Sequence, residues 1–197
     1  MKIQQRAYDN NDWKIIAETD NFNAKNVQLV LAFGERKCLE ATQPYALIRD
    51  LYPAAEIVIN STSGEIYNDS VFSNTIIVTA IEFEKTTVRT VRVEIDNYLQ
   101  STKSGEEIAD ALLADDLATI LIISDGGFVN GSALIAALNE KTDNKIPISG
   151  GLAGDEARFE KTLVGLNENP KQGVIIGIGL YSKDLKVGHG TMGGWDG

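Results

Sequence analysis

The sequence predicts an α/β (α+β) fold in which mixed β-sheets are covered by helices. Short apolar runs rich in β-branched residues alternate with segments of helical periodicity, and the two halves of the chain repeat this order. With 197 residues, 43% of them hydrophobic, the chain can form one large domain or two small ones with a shared core. No Pro/Gly/Ser-rich linker separates the halves, so residues 26–197 are expected to form one domain, with residues 1–25 as an N-terminal extension packed on it.

In the first half, four apolar runs predict strands: residues 26–33, 55–60, 73–84 and 87–95. The last two are close in sequence and predict a hairpin. Its second strand alternates valine with polar residues, as a half-exposed strand does. Between the first two strands, YALIRDLY (45–52) predicts a short helix, because Pro44 suits a first helical turn.

Two helices are predicted in the second half. The first follows a capping box formed by Ser104 and Glu107. Its apolar stripe consists of Ile108, Leu112 and, more loosely, Ala111. The second helix covers NGSALIAALNEKT (130–142), with Asn130 or Ser132 as its cap.

The strands of the second half surround these helices in sequence. LATILIIS (117–124) is continuously apolar, the mark of a strand covered on both faces. IPIS (146–149) predicts a strand that enters a glycine-rich loop, and KTLVGLN (161–167) predicts a short strand. Residues 173–182 and 185–190 predict a closing hairpin.

Aligned side by side, the two halves follow one plan of strand, helix, strand, acidic small-residue loop and hairpin. LVLAF corresponds to ILIIS, TIIVTAIEFE to GVIIGIGLYS, and Gly64-Glu65 to Gly154-Asp155. This pattern predicts a duplicated strand-helix-strand-hairpin unit. Two unrelated β/α units of ordinary composition are the alternative.

Composition argues against several function classes. The net charge of −10 and the pI of about 4.6 repel phosphate backbones, so no nucleic-acid partner is expected. No apolar run is long enough to span a bilayer, and the N-terminus lacks the apolar core of a signal peptide, so no membrane partner is expected. The single cysteine, Cys38, cannot form an internal disulfide, which makes the cytoplasm the expected location.

Motifs of catalysis and cofactor binding do not fit. GGLAGDEA has an acid where a P-loop needs lysine, and GHGTMG (188–193) matches a dinucleotide fingerprint without a helix to follow it. A G-x-S-x-G elbow is missing, and a triad would have to use the single histidine, His189. One histidine and one cysteine leave only carboxylates for a metal. The sequence therefore predicts no cofactor and no metal site.

Four loops rich in glycine, hydroxyl and acidic residues each follow a predicted strand: residues 33–37, 60–66, 124–131 and 149–159. Ligands of α/β sheets sit outside the carboxyl ends of strands, so these loops are expected to form one cleft. Their glycines let backbone N–H groups approach a ligand. The polar side chains there are Ser61, Thr62, Ser63, Glu65, Asp125, Ser149 and Asp155. This set suits a small polar ligand, particularly an amine; alternatively, the glycines only make turns and the acids only cap local backbone.

Several segments resemble the N-terminal FIST domain, a sensory module of bacterial signal-transduction proteins. They are IVINSTSGEIYNDSVF, ILIISDGGFVNGSALIAALNE, PISGGLAGDEARFEKTLVGLNE and GVIIGIGLYSKDLKVGHGTMGGW. The similarity extends from about Val27 to Trp195, and GGLAGD with the upstream S-T-x-G-E is its most specific part. The chain differs from the family pattern at Asn60, where a small residue is expected, and at Ser149, where glycine is common.

The resemblance implies a cytoplasmic sensory domain over residues 26–197 that binds a small polar ligand, such as an amino acid. Its implied pocket residues are Ser61, Thr62, Ser63, Gly64, Glu65, Ser124, Asp125, Asn130, Gly150, Gly151, Gly154, Asp155 and Phe159. Such a domain relays ligand occupancy to a partner, a following FIST C-terminal domain or a signalling output domain. The C-terminal domain is expected to be absent from this chain.

Two other function classes stay open at this point. An enzyme would use Glu65 and Asp155 as general acid and base, which requires one carboxyl group to be protonated near neutral pH. A structural pairing module would have no pocket and would expose an apolar patch around Trp195. A non-enzymatic sensory domain is the prediction that agrees with both the residue chemistry and the family resemblance.

Overall fold

Two mixed β-sheets form the centre of the computed structural model, which describes residues 1–9, 12–188 and 190. The helices are α1 (Arg36–Thr42), α2 (Tyr45–Leu51), α3 (Ser101–Leu112) and α4 (Gly131–Lys141). The strands are β1 (Lys2–Asp9), β2 (Asp12–Glu18), β3 (Leu29–Glu35), β4 (Glu56–Thr62), β5 (Glu65–Tyr67), β6 (Ser70–Phe72), β7 (Ile76–Glu82), β8 (Thr87–Glu94), β9 (Leu117–Ser124), β10 (Ile148–Leu152), β11 (Val164–Leu166) and β12 (Val174–Tyr181). None of the described helices is long and apolar enough to cross a membrane.

The two larger sheets share one topology. One has the strand order β11-β4-β3-β7-β1-β2 and the other β10-β9-β12-β8. In each, a parallel pair joined through helices, β3–β4 or β9–β10, continues into two antiparallel strands, β7 and β1 or β12 and β8. The order β4-β3-β7-β1 therefore matches β10-β9-β12-β8, which supports the predicted duplicated unit.

The sheets pack face to face, and the helices cover their outer faces. Helices α1 and α2 bury Leu39 and Ile48 against the six-stranded sheet, and α3 and α4 bury Ile108 and Leu134 against the four-stranded sheet. The core between the sheets consists of Leu29, Val58, Ile123, Ala153, Val164, Val174, Ile176 and Ile178. Because β3, β4, β9 and β12 are covered on both faces, their sequences are continuously apolar. The prediction of mixed sheets covered by helices is confirmed.

The predicted hairpin of residues 73–84 and 87–95 is wrong in its pairing. Both segments are strands, but β7 pairs with β3 and β1, whereas β8 pairs with β12 in the other sheet. The short connection between them therefore crosses from one sheet to the other. Local sequence could not reveal this crossing, because a strand's apolar pattern specifies its covered faces and not its neighbour.

The first helix of the second half begins earlier than predicted. Helix α3 starts at Ser101, so Ser104 is a buried residue inside it and the predicted capping box is wrong. Ala111 is exposed, and Ala109 is buried instead. A Cβ on Gly105 would lie 2.6 Å from the Leu134 carbonyl oxygen, so the small residues at this point permit close packing on α4.

Other boundaries also differ from the predictions. Residues 33–37 are the end of β3 and the start of α1, a helix that the sequence pattern did not predict. Residues 1–25 are more than a packed extension, since β1 and β2 belong to the six-stranded sheet. Leu185–Gly188 are not a strand, and His189 and Trp195 lie outside the described residues.

Candidate functional site

Strands β4 and β10 occupy equivalent positions in the two units. The end of β4 meets the segment that follows β10 at the carboxyl ends of these strands. The Gly154 amide donates a hydrogen bond to the Ser61 carbonyl oxygen at 3.0 Å, and the Leu163 amide donates to Ser61 Oγ at 2.9 Å. A Cβ on Gly154 would lie 2.8 Å from the backbone nitrogen of Ser63, so only glycine permits this approach. Two of the four predicted loops therefore come together, at the end of the sheets where ligands bind in α/β proteins.

A central cavity of about 300 Å³ lies at this junction. Its lining residues come from both sheets: Phe33, Asn60, Ser61, Thr62, Ser63, Ile123, Gly151, Leu152 and Gly154. The lining mixes backbone, hydroxyl and amide groups with apolar side chains, as small-molecule sites do.

Three further cavities adjoin the central one and share lining residues with it. The Glu65 cavity, of about 280 Å³, shares Phe33 and Thr62. The Asp155 cavity, of about 250 Å³, shares Ser63, Leu152 and Gly154. The β10 cavity, of about 330 Å³, shares Gly151 and Leu152 and extends towards α4. We refer to these four adjoining cavities together as the groove.

Most of the predicted pocket residues line this groove. They are Ser61, Thr62, Ser63, Gly64, Glu65, Ser124, Gly150, Gly151, Gly154, Asp155 and Phe159. Ser149 also lines the β10 cavity. Ser61 and Thr62 belong to β4, and residues 149–152 belong to β10, so these positions are strand residues and not loop residues as predicted.

Asp125 and Asn130 are not among the lining residues of the groove. Asp125 is buried and accepts hydrogen bonds from the amides of Gly127, Phe128 and Gly173. Asn130 accepts from the amide of Ala133 and caps α4, as predicted. Both side chains therefore stabilise the connection between β9 and α4.

A buried ion-pair network holds Asp155. Arg36 Nε donates to Asp155 Oδ1 at 2.6 Å and Arg158 Nη1 donates to the same oxygen at 3.2 Å, while Oδ2 accepts from the amides of Glu160 and Lys161. Burial alone would raise the pKa of Asp155, but Arg36, these amides and Arg158 together lower it to about 2. Asp155 is thus a fixed carboxylate, unsuited to the general acid or base of a carboxylate pair near neutral pH.

Glu35 connects this network to the start of α1. It accepts from the Cys38 amide at 2.7 Å and from Arg158 Nη2 at 2.5 Å. Burial alone would raise the pKa of Glu35, but the amides of α1 and the Arg158 guanidinium lower it. Arg158 therefore bridges Glu35 of the first unit and Asp155 of the second.

Glu65 has the opposite electrostatic environment. It is 1% exposed, and Oε1 accepts from Thr62 Oγ1 at 2.5 Å. Its other oxygen, Oε2, makes no hydrogen bond of ordinary geometry with the described residues, although the Thr75 amide lies close enough to the carboxyl group to favour its ionisation. Burial and the nearby Glu35 raise the pKa of Glu65, in spite of the Thr62 hydroxyl and the Thr75 amide.

Three residues of the site lie in the predicted loops 33–37 and 60–66 but were not among the side chains named from the sequence. Phe33 lines both the central and the Glu65 cavity, Asn60 lines the central cavity, and Arg36 holds Asp155. The available signals were an asparagine in the apolar strand AEIVIN and an arginine directly after a buried strand. Within the described part of the chain, no group of three or more His, Cys, Asp or Glu side chains could hold a metal ion.

Acid is expected to destabilise the domain through Asp155. Its folded-state pKa of about 2 lies below the ordinary value of 3.8, so its ionisation stabilises the fold above about pH 4 and ceases to do so as the pH falls through 2. We expect this to remove about 2 kcal/mol of unfolding free energy, measured by urea denaturation between pH 5 and pH 2. Asp155→Asn should show a shallower pH dependence and the exposed control Asp110→Asn an unchanged one; equal slopes for all three proteins would contradict the assignment.

Comparison with known families agrees with this geometry. The family model of the FIST N domain matches residues 28–197, a range that contains both parallel strand pairs and all the lining residues of the groove except Gln5. No curated protein is similar enough to this chain to be named as a relative. The chain therefore belongs to the FIST N domain family, a family of sensory domains in signal transduction.

Proposed function

We propose that this domain binds a small polar ligand in the groove and relays its occupancy to a partner domain. The observation that carries the proposal is the direct contact of the equivalent segments after β4 and β10 around a cavity lined by both sheets. Hydroxyls of Ser61, Thr62 and Ser63 and a buried carboxyl group supply polar contacts for a molecule such as an amino acid.

The relay would work through closure of the rim of the groove. Phe159 lines the Asp155 cavity, is 91% exposed and has a φ of 54°, a backbone conformation that is strained for a bulky residue. Leu152, at the same cavity, is also exposed. A ligand that contacts both side chains favours the closed rim, and it shifts the equilibrium only by its differential affinity for the two states.

The partner in this proposal is a FIST C-terminal domain or another signalling output domain, and the setting is the cytoplasm. The domain itself is proposed to be a sensor and not an enzyme. The alternative of a Glu65 and Asp155 acid–base pair is disfavoured because Arg36, Arg158 and two backbone amides already donate hydrogen bonds to the Asp155 carboxylate. The presence of a groove with buried polar groups disfavours a purely structural pairing module.

A thermal-shift screen against amino acids and related metabolites tests the proposal. A specific ligand at about 100 times its Kd is expected to add about 2.7 kcal/mol of stability. Gly151→Val should abolish the shift, because Gly151 faces open space in two of the cavities and a larger side chain there fills them without a clash.

Gly188→Val is the matched control, since Gly188 also has open space around it and is not a lining residue of the groove. It should keep the shift of the original protein. The proposal fails if no compound raises the melting temperature, or if Gly151→Val responds to a hit as the unaltered domain does.

A further inference from the structure

Two buried oxygen atoms in adjoining cavities lack hydrogen-bond partners among the described residues. One is Asn60 Oδ1 in the central cavity and the other is Glu65 Oε2 in the Glu65 cavity. Buried polar groups in folded proteins are paired with few exceptions, so unpaired acceptors on two residues that line adjoining cavities indicate a ligand that pairs with them. Both residues line the groove, and the two cavities share Phe33 and Thr62.

The orientation of the Asn60 amide follows from its other contact. Nδ2 donates to the Ser61 carbonyl oxygen at 3.2 Å, which can only accept, so the NH₂ group must point there. The free atom is therefore the acceptor Oδ1, and Asn60 is only 5% exposed. A ligand in the central cavity satisfies this atom only if it carries an N–H or O–H donor.

Glu65 narrows the choice of donor. Its partnered oxygen already accepts from Thr62, and a cationic N–H group would satisfy the free oxygen with a charge-assisted bond. Burial and the nearby Glu35 carboxylate raise the pKa of Glu65. Because Arg158 pairs with Glu35, the charge that a ligand meets at the free oxygen is that of Glu65 itself, which an ammonium group would compensate and an anion would not. The aromatic ring of Phe33, which lines both cavities, is also a favourable neighbour for a cation.

We infer that Asn60 and Glu65 act together as ligand acceptors and select a small organic amine, an assignment that rests on the proposed function. Asn60 is then a specificity-determining residue of this chain. Glu65 would bind the ammonium group, and Asn60 would bind a second N–H of the same molecule or the same nitrogen.

The test compares four probes of similar size with the full chain: butylamine, butanamide, 1-butanol and butyrate. Binding is measured at equal concentrations by ligand-observed NMR. We expect butylamine to bind most tightly, butanamide more weakly, and 1-butanol and butyrate least. Glu65→Gln should weaken butylamine binding about tenfold, the loss of one charge-assisted hydrogen bond.

Asn60→Leu separates ligand binding from a structural role. It should weaken butylamine binding about tenfold while leaving the melting temperature of the unliganded domain unchanged or higher, because it removes an unpaired buried acceptor. A merely structural Asn60 would lower that temperature instead. Glu106→Gln, at an exposed position of α3, is the control for removal of a carboxylate and should bind all probes as before.

The inference is overturned if 1-butanol or butyrate binds as tightly as butylamine, or if both Asn60→Leu and Glu65→Gln leave butylamine binding unchanged. It is also overturned if none of the four probes binds. In each of these cases, a hit of another chemical class that Gly151→Val abolishes would leave the proposed function standing, so the two failures are distinguishable.

Discussion

Gly150→Ala is expected to lower the free energy of unfolding by about 3 kcal/mol or more. Gly150 has a φ of 147°, a region that residues with a Cβ rarely adopt. A Cβ at this position would lie 1.9 Å from the carbonyl oxygen of Ile122, its register partner on β9. Because that oxygen belongs to the backbone of a paired strand, it cannot move without breaking the β9–β10 ladder.

Gly151→Ala is the matched control for this substitution. Gly151 is the next residue on the same strand, and a Cβ there would meet no atom within 4 Å. Its free energy of unfolding should change by no more than about 0.5 kcal/mol. Urea denaturation of the two variants measures the difference in unfolding free energy. Equal midpoints for Gly150→Ala and Gly151→Ala would show that position 150 tolerates a Cβ.

Arg36→Met is expected to cost about 3–5 kcal/mol, the penalty for breaking a buried ion pair by removal of one partner. The Arg36 and Asp155 side chains are 5% and 3% exposed, so the remaining carboxylate would be poorly solvated. Arg36 also contacts Glu160 at 2.5 Å, and that carboxylate would lose its partner as well. Among the described residues, the Asp155 carboxylate would then keep Arg158 and two backbone amides as its partners.

The exposed pair of Lys141 and Asp110 provides the comparison. Their side chains are 37% and 60% exposed, and Lys141→Met should cost less than about 1 kcal/mol. Adding Asp155→Asn to Arg36→Met should recover part of the loss, because it removes the uncompensated charge. Guanidinium chloride denaturation measures the unfolding free energy of each variant. If Arg36→Met lowers it as little as Lys141→Met does, the ion-pair network around Asp155 does not stabilise the fold.

The sequence predicted the strands that are covered on both faces, because continuous apolar runs such as LATILIIS are typical of strands that lie between two layers. It also predicted the internal repeat and the meeting of the segments around Gly64 and Gly154, since equivalent loops in a duplicated sheet lie at the same kind of edge. It did not predict which sheet β7 and β8 join. That choice depends on long-range packing and leaves no local pattern.

The ion pair between Arg36 and Asp155 shows the same limit for the site. Its partners are 119 residues apart in the chain, and no pattern in the local sequence around either residue indicates that it pairs with the other. The acidic loops gather as expected, and Asp155 accepts from local backbone amides, which was one of the two expectations for it, but its ion pairs with Arg36 and Arg158 were not predicted. Both carboxyl groups are buried, and what distinguishes them is their partners, which only the three-dimensional structure reveals: two arginines for Asp155 and the Thr62 hydroxyl for Glu65.

Strand β11 has a consequence for how such a domain can evolve. It follows β10 in the second unit but pairs with β4 of the first, with Val164 opposite Asn60. Next to it, the Ser61 amide donates to the Leu163 carbonyl oxygen at 2.8 Å. The width of the groove is therefore fixed by main-chain hydrogen bonds, which form whatever the side chains at these positions are. Substitutions at positions such as Asn60 and Ser149 can thus change the chemistry of the groove lining while the main-chain architecture is inherited intact.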